Sequence, residues 1–271
     1  MTTPLTHTPH DSGVPASARD FSVEERVVIV TGAAQGIGRE LARQFAAAGA
    51  VAVVADLNID KANTVAKEIH DAGGVGLAVQ VNVADEASVV AMVDTVIEKW
   101  GRVDVLINNA SIFATIEKGP FDEIPLEQWE QVLKVNVTGS YLCVRAVASH
   151  MRAAGFGRII NISSDSVTRG VGNYLHYVTS KSAVIGMTNS LARELGSYGI
   201  TVNCVRPGMV TTEVERNQPA EARARAASQQ CIPRNMAPTD LVGVMFFLAT
   251  PASAFITGQT IACDGGYTHS S

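Results

Sequence analysis

The chain is short of positive charge. Its 21 Lys and Arg against 26 Asp and Glu leave a net charge of −5 over 271 residues, and no long block of one sign occurs. That balance excludes a basic field for nucleic acid or an anionic membrane and points to a small-molecule partner. No apolar run approaches the ~20 residues needed to span a bilayer. The first twenty residues are rich in Thr, Pro, Ser and His and lack the basic start and apolar stretch of an export signal. A cytoplasmic protein is expected, with residues 1–22 as a flexible tail. Cysteine is sparse too: Cys143, Cys204, Cys231 and Cys263 lie too far apart for a CxxC redox pair or a zinc cluster, and all four are expected as small core residues. No His, Cys, Asp or Glu grouping has metal-ligand spacing, so metal-free chemistry is expected. No internal repeat follows the tail.

What the chain does have is apolar residues in an alternating order. With 46% hydrophobic residues a chain of this length can bury a full core, and one domain is expected over 23–271. Short β-branched runs at 27–30, 51–55, 76–81, 103–107, 158–162, 201–205 and 260–263 predict seven strands. Amphipathic stretches near 38–48, 61–72, 86–100, 126–154, 174–198 and 239–248 predict the helices between them. Strands that alternate with helices make βαβ units, and right-handed crossovers put helices on both faces. The predicted fold class is therefore α/β, a doubly wound, seven-stranded parallel sheet of Rossmann type.

The first strand runs into Thr31-Gly32-Ala33-Ala34-Gln35-Gly36-Ile37-Gly38. Glycines between a strand and a helix let backbone N–H groups approach a pyrophosphate at the positive helix end. The spacing is GxxxGxG, and by itself it is equally an ordinary tight turn. Asp56 closes the second strand about 20 residues later, where a carboxylate can bind the adenosine ribose hydroxyls. The same carboxylate repels a ribose phosphate, which favours NAD over NADP. Arg39 is a cation beside that turn, and reads either as a phosphate partner or as a solvated helix residue. Asn108-Asn109-Ala110 ends the fourth strand, where its amides can tie loops together or line the adenosine.

Tyr177-Val178-Thr179-Ser180-Lys181 places a phenol and an ammonium at i,i+4 on one helix face. A tyrosine's intrinsic pKa of about 10 is too high for efficient proton exchange at neutral pH, and a neighbouring ammonium brings it down. Thirteen positions upstream lies Ser164, just past a strand, able to donate a hydrogen bond to a substrate oxygen. Ser163 is chemically equal to it. Asn136 stands among apolar residues, as either a satisfied core amide or a member of the reacting set. His176, about 100° around the helix from Tyr177, reads as a packing residue.

In this order these motifs resemble the classical short-chain dehydrogenase/reductase family from about residue 27 to 267. The quoted elements are the TGxxxGxG turn, Asn108-Asn109-Ala110, Asn136, the Ser-Tyr-Lys spacing, and Pro207-Gly208 followed by Thr212. The resemblance implies a catalytic tetrad of Asn136, Ser164, Tyr177 and Lys181, and selects Ser164 over Ser163. Tyr177 would be the acid/base. Lys181 would bind the nicotinamide ribose and lower the tyrosine pKa, and Asn136 would hold a water linking Lys181 to solvent. The implied cofactor contacts are Gly32, Gln35, Gly36, Ile37 and Gly38, then Asp56 and Leu57, Asn82 and Val83, Asn109 and Ala110, Tyr177 and Lys181. Pro207, Gly208, Val210 and Thr212 complete them. A homotetramer built through helices 126–154 and 174–198 is also implied. Two positions depart from the family pattern: Asn82 stands where Asp is common, and Ser111 follows Ala110 in place of Gly.

Substrate choice is expected from three segments over the cleft, 111–116, 165–175 and 209–231, the last a helical lid that closes on cofactor and excludes water. Ile112, Phe113, Val167, Leu175, Met209 and Val214 predict an apolar pocket for a hydrophobic secondary alcohol or ketone. Similarity within the family points to aryl or cyclic alcohols. A 3-oxoacyl-thioester reductase is the alternative. It would use NADPH and need basic residues for a carrier partner, against Asp56 and the acidic balance. A non-catalytic nucleotide-binding scaffold would have no use for the intact Ser-Tyr-Lys spacing.

Overall fold

A computed structural model describes residues 21–215 and 220–269. The expected tail, save its last two residues, lies outside them. Seven parallel strands, β1 (Val27–Thr31), β2 (Val51–Asp56), β3 (Val75–Gln80), β4 (Val105–Asn108), β5 (Gly157–Ile162), β6 (Ile200–Pro207) and β7 (Thr260–Cys263), form one sheet in the order β3-β2-β1-β4-β5-β6-β7. The order reverses between β1 and β4. A crevice opens there at the carboxyl ends of the strands, which is where ligands bind in such sheets.

Alternation along β1 shows why both faces are covered. Val28 and Val30 enter one apolar cluster and Val27 and Ile29 enter the other, because successive side chains leave opposite faces. The first cluster packs α1 (Gly36–Ala47) through Leu41 and Phe45, whose ring lies 4.6 Å from that of Phe246. The second packs α3 (Glu86–Trp100), α5 (Gly139–Ala154) and α7 (Leu175–Leu195), through residues such as Met92, Val147 and Leu195. Each fully buried side chain of this kind contributes about 1.5–3 kcal/mol. α2 (Ile59–Asp71) is capped by Asn58, whose Oδ1 accepts from the Lys61 N–H, and α3 by Asp85 accepting from Ser88.

Three elements differ from the sequence expectation. The helix expected over 126–154 is α4 (Leu126–Leu133) and α5 joined by a π-helical turn, Lys134–Thr138. The wider turn carries Asn136 and turns it inward to hydrogen-bond across the fold. Second, a one-turn helix α6 (Ser166–Arg169) follows β5. Third, within 209–231 the described residues hold a 3₁₀ turn, Glu213–Glu215, and α8 (Ala220–Ser228), ahead of α9 (Val242–Ala249). Of the cysteines, Cys143 and Cys204 are core residues as expected. Cys263 is half-buried and Cys231 is exposed, on the loop after α8.

Candidate active site

The glycine turn has its shape because nothing larger fits. Gly32 and Gly36 hold φ of +64° and +58°, and a Cβ on Gly38 would stand 2.4 Å from the Gly32 carbonyl oxygen. Asn109 locks the turn from β4: its Nδ2 donates to the carbonyls of Thr31 and Gly32 at 2.8 and 3.0 Å. Of the two roles open to that amide, the structure shows the tie between loops. Unlike α2 and α3, α1 has no side-chain cap. The Gly36 N–H donates instead to Glu213 Oε1 at 2.9 Å, across 177 positions of sequence. A carboxylate from the loop after β6 thus sits where the helix end attracts an anion.

Asp56 is fixed beside the turn, its two oxygens accepting from the N–H groups of Ala34 and Asn58 at 3.0 and 2.9 Å. Arg39 makes a bidentate pair with Glu68 at 2.8 and 3.1 Å, which raises its pKa further. Its charge is therefore already answered. Leu57 is exposed. Asn82 Oδ1 accepts from the Ala84 N–H at 3.1 Å, in a tight local turn.

Three of the four expected reacting groups, Ser164, Tyr177 and Lys181 but not Asn136, converge on a cavity of about 450 Å³ at the ends of β4, β5 and β6. Ser164, Tyr177, Lys181, Pro207, Gly208, Val210 and Thr212 line it together with Gln35, Gly36 and Ile37. The two serines now part company. Ser163 is buried and its hydroxyl donates to the Lys181 carbonyl at 2.8 Å, whereas Ser164 is only partly buried, accepting from the Ser166 N–H at 3.2 Å. Lys181 Nζ donates to the Ile162 carbonyl at 2.9 Å and lies 5.7 Å from the Tyr177 ring centroid. Its burial pushes its pKa down to about 8, and the nearby Cys204 opposes this only weakly. Asn136 is held through its side chain: Oδ1 accepts from the Ile112 N–H at 2.8 Å, and Nδ2 donates to Ser180 Oγ at 3.0 Å. It pins the segment after β4 to α7, as a satisfied amide. His176 is fully buried, edge-on to Tyr174.

The apolar wall differs from expectation in two residues. Ile112, Phe113, Met209 and Val214 line the cavity, but Val167 and Leu175 do not, and Leu175 is exposed. The turn into α7 points Tyr174 inward in its place. Its ring stacks on Tyr177 at 4.7 Å, with Phe113 5.1 Å from Tyr177. Sequence reasoning missed Lys118, which lies outside the segments expected over the cleft; Asp165 and Arg169 on the cavity, and Glu213, fall inside those segments without an individual role. An acidic residue directly after Thr212 was the one available signal.

A family model described as "Enoyl-(Acyl carrier protein) reductase" matches residues 32–268. The cis-4-hydroxycyclohexanecarboxylate dehydrogenase of Sinomonas cyclohexanicum is 39% identical over 244 residues, covering 90% of this chain and 97% of that protein. The chain belongs to the classical short-chain dehydrogenase/reductase family. Among its relatives, the 3-oxoacyl-[acyl-carrier-protein] reductase of Synechocystis is 40% identical over 89% of this chain and 96% of that one. The solved 7α-hydroxysteroid dehydrogenase complexed with NADH and 7-oxo glycochenodeoxycholic acid superposes with a TM-score of 0.88. It is 31% identical, and the match covers 93% of this chain and 98% of that one.

The nicotinamide dinucleotide of the family fits the residues present. Gly38 admits only hydrogen beside the turn, and the Gly36 amide already holds a carboxylate where a phosphate oxygen would sit. Asp56 stands at the end of β2, within reach of the turn. Among the described residues no group of three or more His, Cys, Asp or Glu could hold a metal ion, and no helix is long and apolar enough to cross a membrane.

Proposed function

We propose that the protein is an NAD-dependent oxidoreductase that interconverts a hydrophobic cyclic secondary alcohol and its ketone. The observation that carries this reading is a cavity that sets Ser164, Tyr177 and Lys181 against a wall of Ile112, Phe113, Tyr174 and Val171. The bound cofactor would accept or return the hydride. Tyr177 takes the proton of the substrate hydroxyl in oxidation and returns it in reduction, and Ser164 donates a hydrogen bond to the same oxygen. Lys181, held by the Ile162 carbonyl, keeps positive charge beside the Tyr177 ring and so favours the phenolate. The aromatic wall keeps water from the reacting carbon.

For the cofactor, Asp56 disfavours a ribose phosphate, and Arg39, which could have offset it, is paired with Glu68. The Sinomonas relative acts on a cyclic hydroxy acid, by its name, and the solved structure holds NADH with a ring ketone. The thioester-reductase reading has the Synechocystis relative on its side, but that reading also calls for NADPH. A homotetramer and a cytoplasmic setting complete the proposal, on the family resemblance. A screen of cyclic alcohols, sugars and 3-oxoacyl thioesters with NAD(H) and NADP(H) tests it. The expected result is NAD reduction with ring alcohols, lost by ~10²-fold or more in Tyr177→Phe. Better turnover with NADPH, or full activity in that variant, overturns it.

A further inference from the structure

The cavity's charges do not balance. Four charged side chains line it: Lys118, Asp165, Arg169 and Lys181. Asp165 and Arg169 answer one another at 3.0 Å, and burial further disfavours the Asp165 carboxylate against the pull of Arg169. The ammonium of Lys181 is buried on the Ile162 carbonyl beside Tyr177. Lys118, like Arg169, is exposed at the rim, but no carboxylate of the described residues pairs with it. Its ammonium lies 4.7 Å from the centroid of the Tyr174 ring, whose hydroxyl donates to the Phe113 carbonyl at 3.0 Å. That contact holds the ammonium over the cavity wall.

One aromatic ring, Tyr174, separates this ammonium from the Tyr177 ring on which it stacks. A substrate whose reacting oxygen meets Tyr177 would cross the apolar wall and present its far end to Lys118. We infer that Lys118 is a specificity-determining residue that binds an anionic group, a carboxylate, at the far end of a ring-bearing alcohol. The inference rests on the dehydrogenase reading above for its reacting end. The ring-alcohol core accounts for the apolar wall, and the carboxylate accounts for the unbalanced cation.

Two unreactive probes separate the anion subsite from catalysis: cyclohexanecarboxylate and cyclohexanecarboxamide, titrated by calorimetry into cofactor-loaded protein. The carboxylate is expected to bind about fivefold tighter than the amide, the range of one partly exposed ion pair. The preference should shrink with added salt, fall close to one in Lys118→Met, which keeps the apolar stem, and survive in Lys118→Arg. An unchanged ratio in Lys118→Met, or no preference in the parent protein, overturns the inference. Oxidation of unsubstituted cyclohexanol by the parent protein is measured in parallel. Failure of every ring alcohol to react would sink the dehydrogenase reading, while the binding ratio still decides the role of Lys118.

Discussion

Replacing Lys181 with Met separates what the buried ammonium costs the fold from what it contributes to the site. In the folded protein burial lowers the Lys181 pKa from 10.5 to about 8. At ~1.36 kcal/mol for each tenfold change, that fall is a penalty of about 3 kcal/mol on the folded state at neutral pH. Methionine removes the charge and nearly keeps the volume, and it gives up the hydrogen bond to the Ile162 carbonyl, worth about 1 kcal/mol for a neutral donor. The net expectation is a protein more stable by about 2 kcal/mol near pH 7, within the gains seen when buried charges become apolar. The sign depends on pH in a defined way. Because the folded state binds fewer protons than the unfolded one between pH about 8 and 10.5, the parent protein recovers stability as pH rises through that window. The advantage of the variant is therefore full below about 8, shrinks as pH rises, and above about 10.5 gives way to a deficit of about 1 kcal/mol, the lost hydrogen bond. Urea unfolding of both proteins at one concentration, near pH 7 and near pH 10, measures the gap, and titrations shared by the two cancel in the difference. A variant less stable near pH 7, or a gap equal at both pH values, refutes the reasoning. Activity with ring alcohols should meanwhile be lost.

Two further substitutions probe the cofactor end. Gly38→Ala forces a Cβ to within 2.4 Å of the Gly32 carbonyl oxygen and 2.5 Å of Asn109 Nδ2. It should cost about 1–3 kcal/mol of stability through overpacking and abolish calorimetric binding of NADH; a variant that binds normally would show that the turn is not the phosphate cradle. Glu213→Gln keeps a side-chain oxygen near the Gly36 N–H but removes the anion that competes there with a phosphate. NADH should bind about two- to fivefold tighter, the scale of a solvent-screened charge, and equal or weaker binding would mean that the carboxylate does not compete.

The parts of this protein legible in its sequence are those a local backbone rule dictates. Strands buried on both faces, such as Val27–Thr31, must be apolar throughout, so they read as unbroken β-branched runs. Gly32, Gly36 and Gly38 were readable because a positive φ or a 2.4 Å approach admits only glycine. The π-helical turn at Lys134–Thr138 was not, because the apolar period runs through it, and only the backbone register shows the wider turn that carries Asn136. Likewise, both serines after β5 satisfy the chemistry, and only the structure separates them: Ser163 is buried with its hydroxyl on the Lys181 carbonyl, while Ser164 is partly exposed at the cavity with a long bond to Asp165.

The remaining features of the site come from loops that meet far from one another in the chain. A loop has no period, so a sequence cannot say that Tyr174 points inward while Leu175, its neighbour, is exposed. Nor can it pair Glu213 with Gly36 or Lys118 with Tyr174, contacts that exist only once the sheet has set the ends of β1, β4 and β5 side by side. The proposed hydride-transfer site resides in backbone turns and one helix face, and so it reads directly from spacing. Selectivity resides in these loop contacts. That is why an apolar pocket could be anticipated from Ile112 and Phe113, while the cation that would choose among apolar substrates became visible only when the Tyr174 ring was found beneath it.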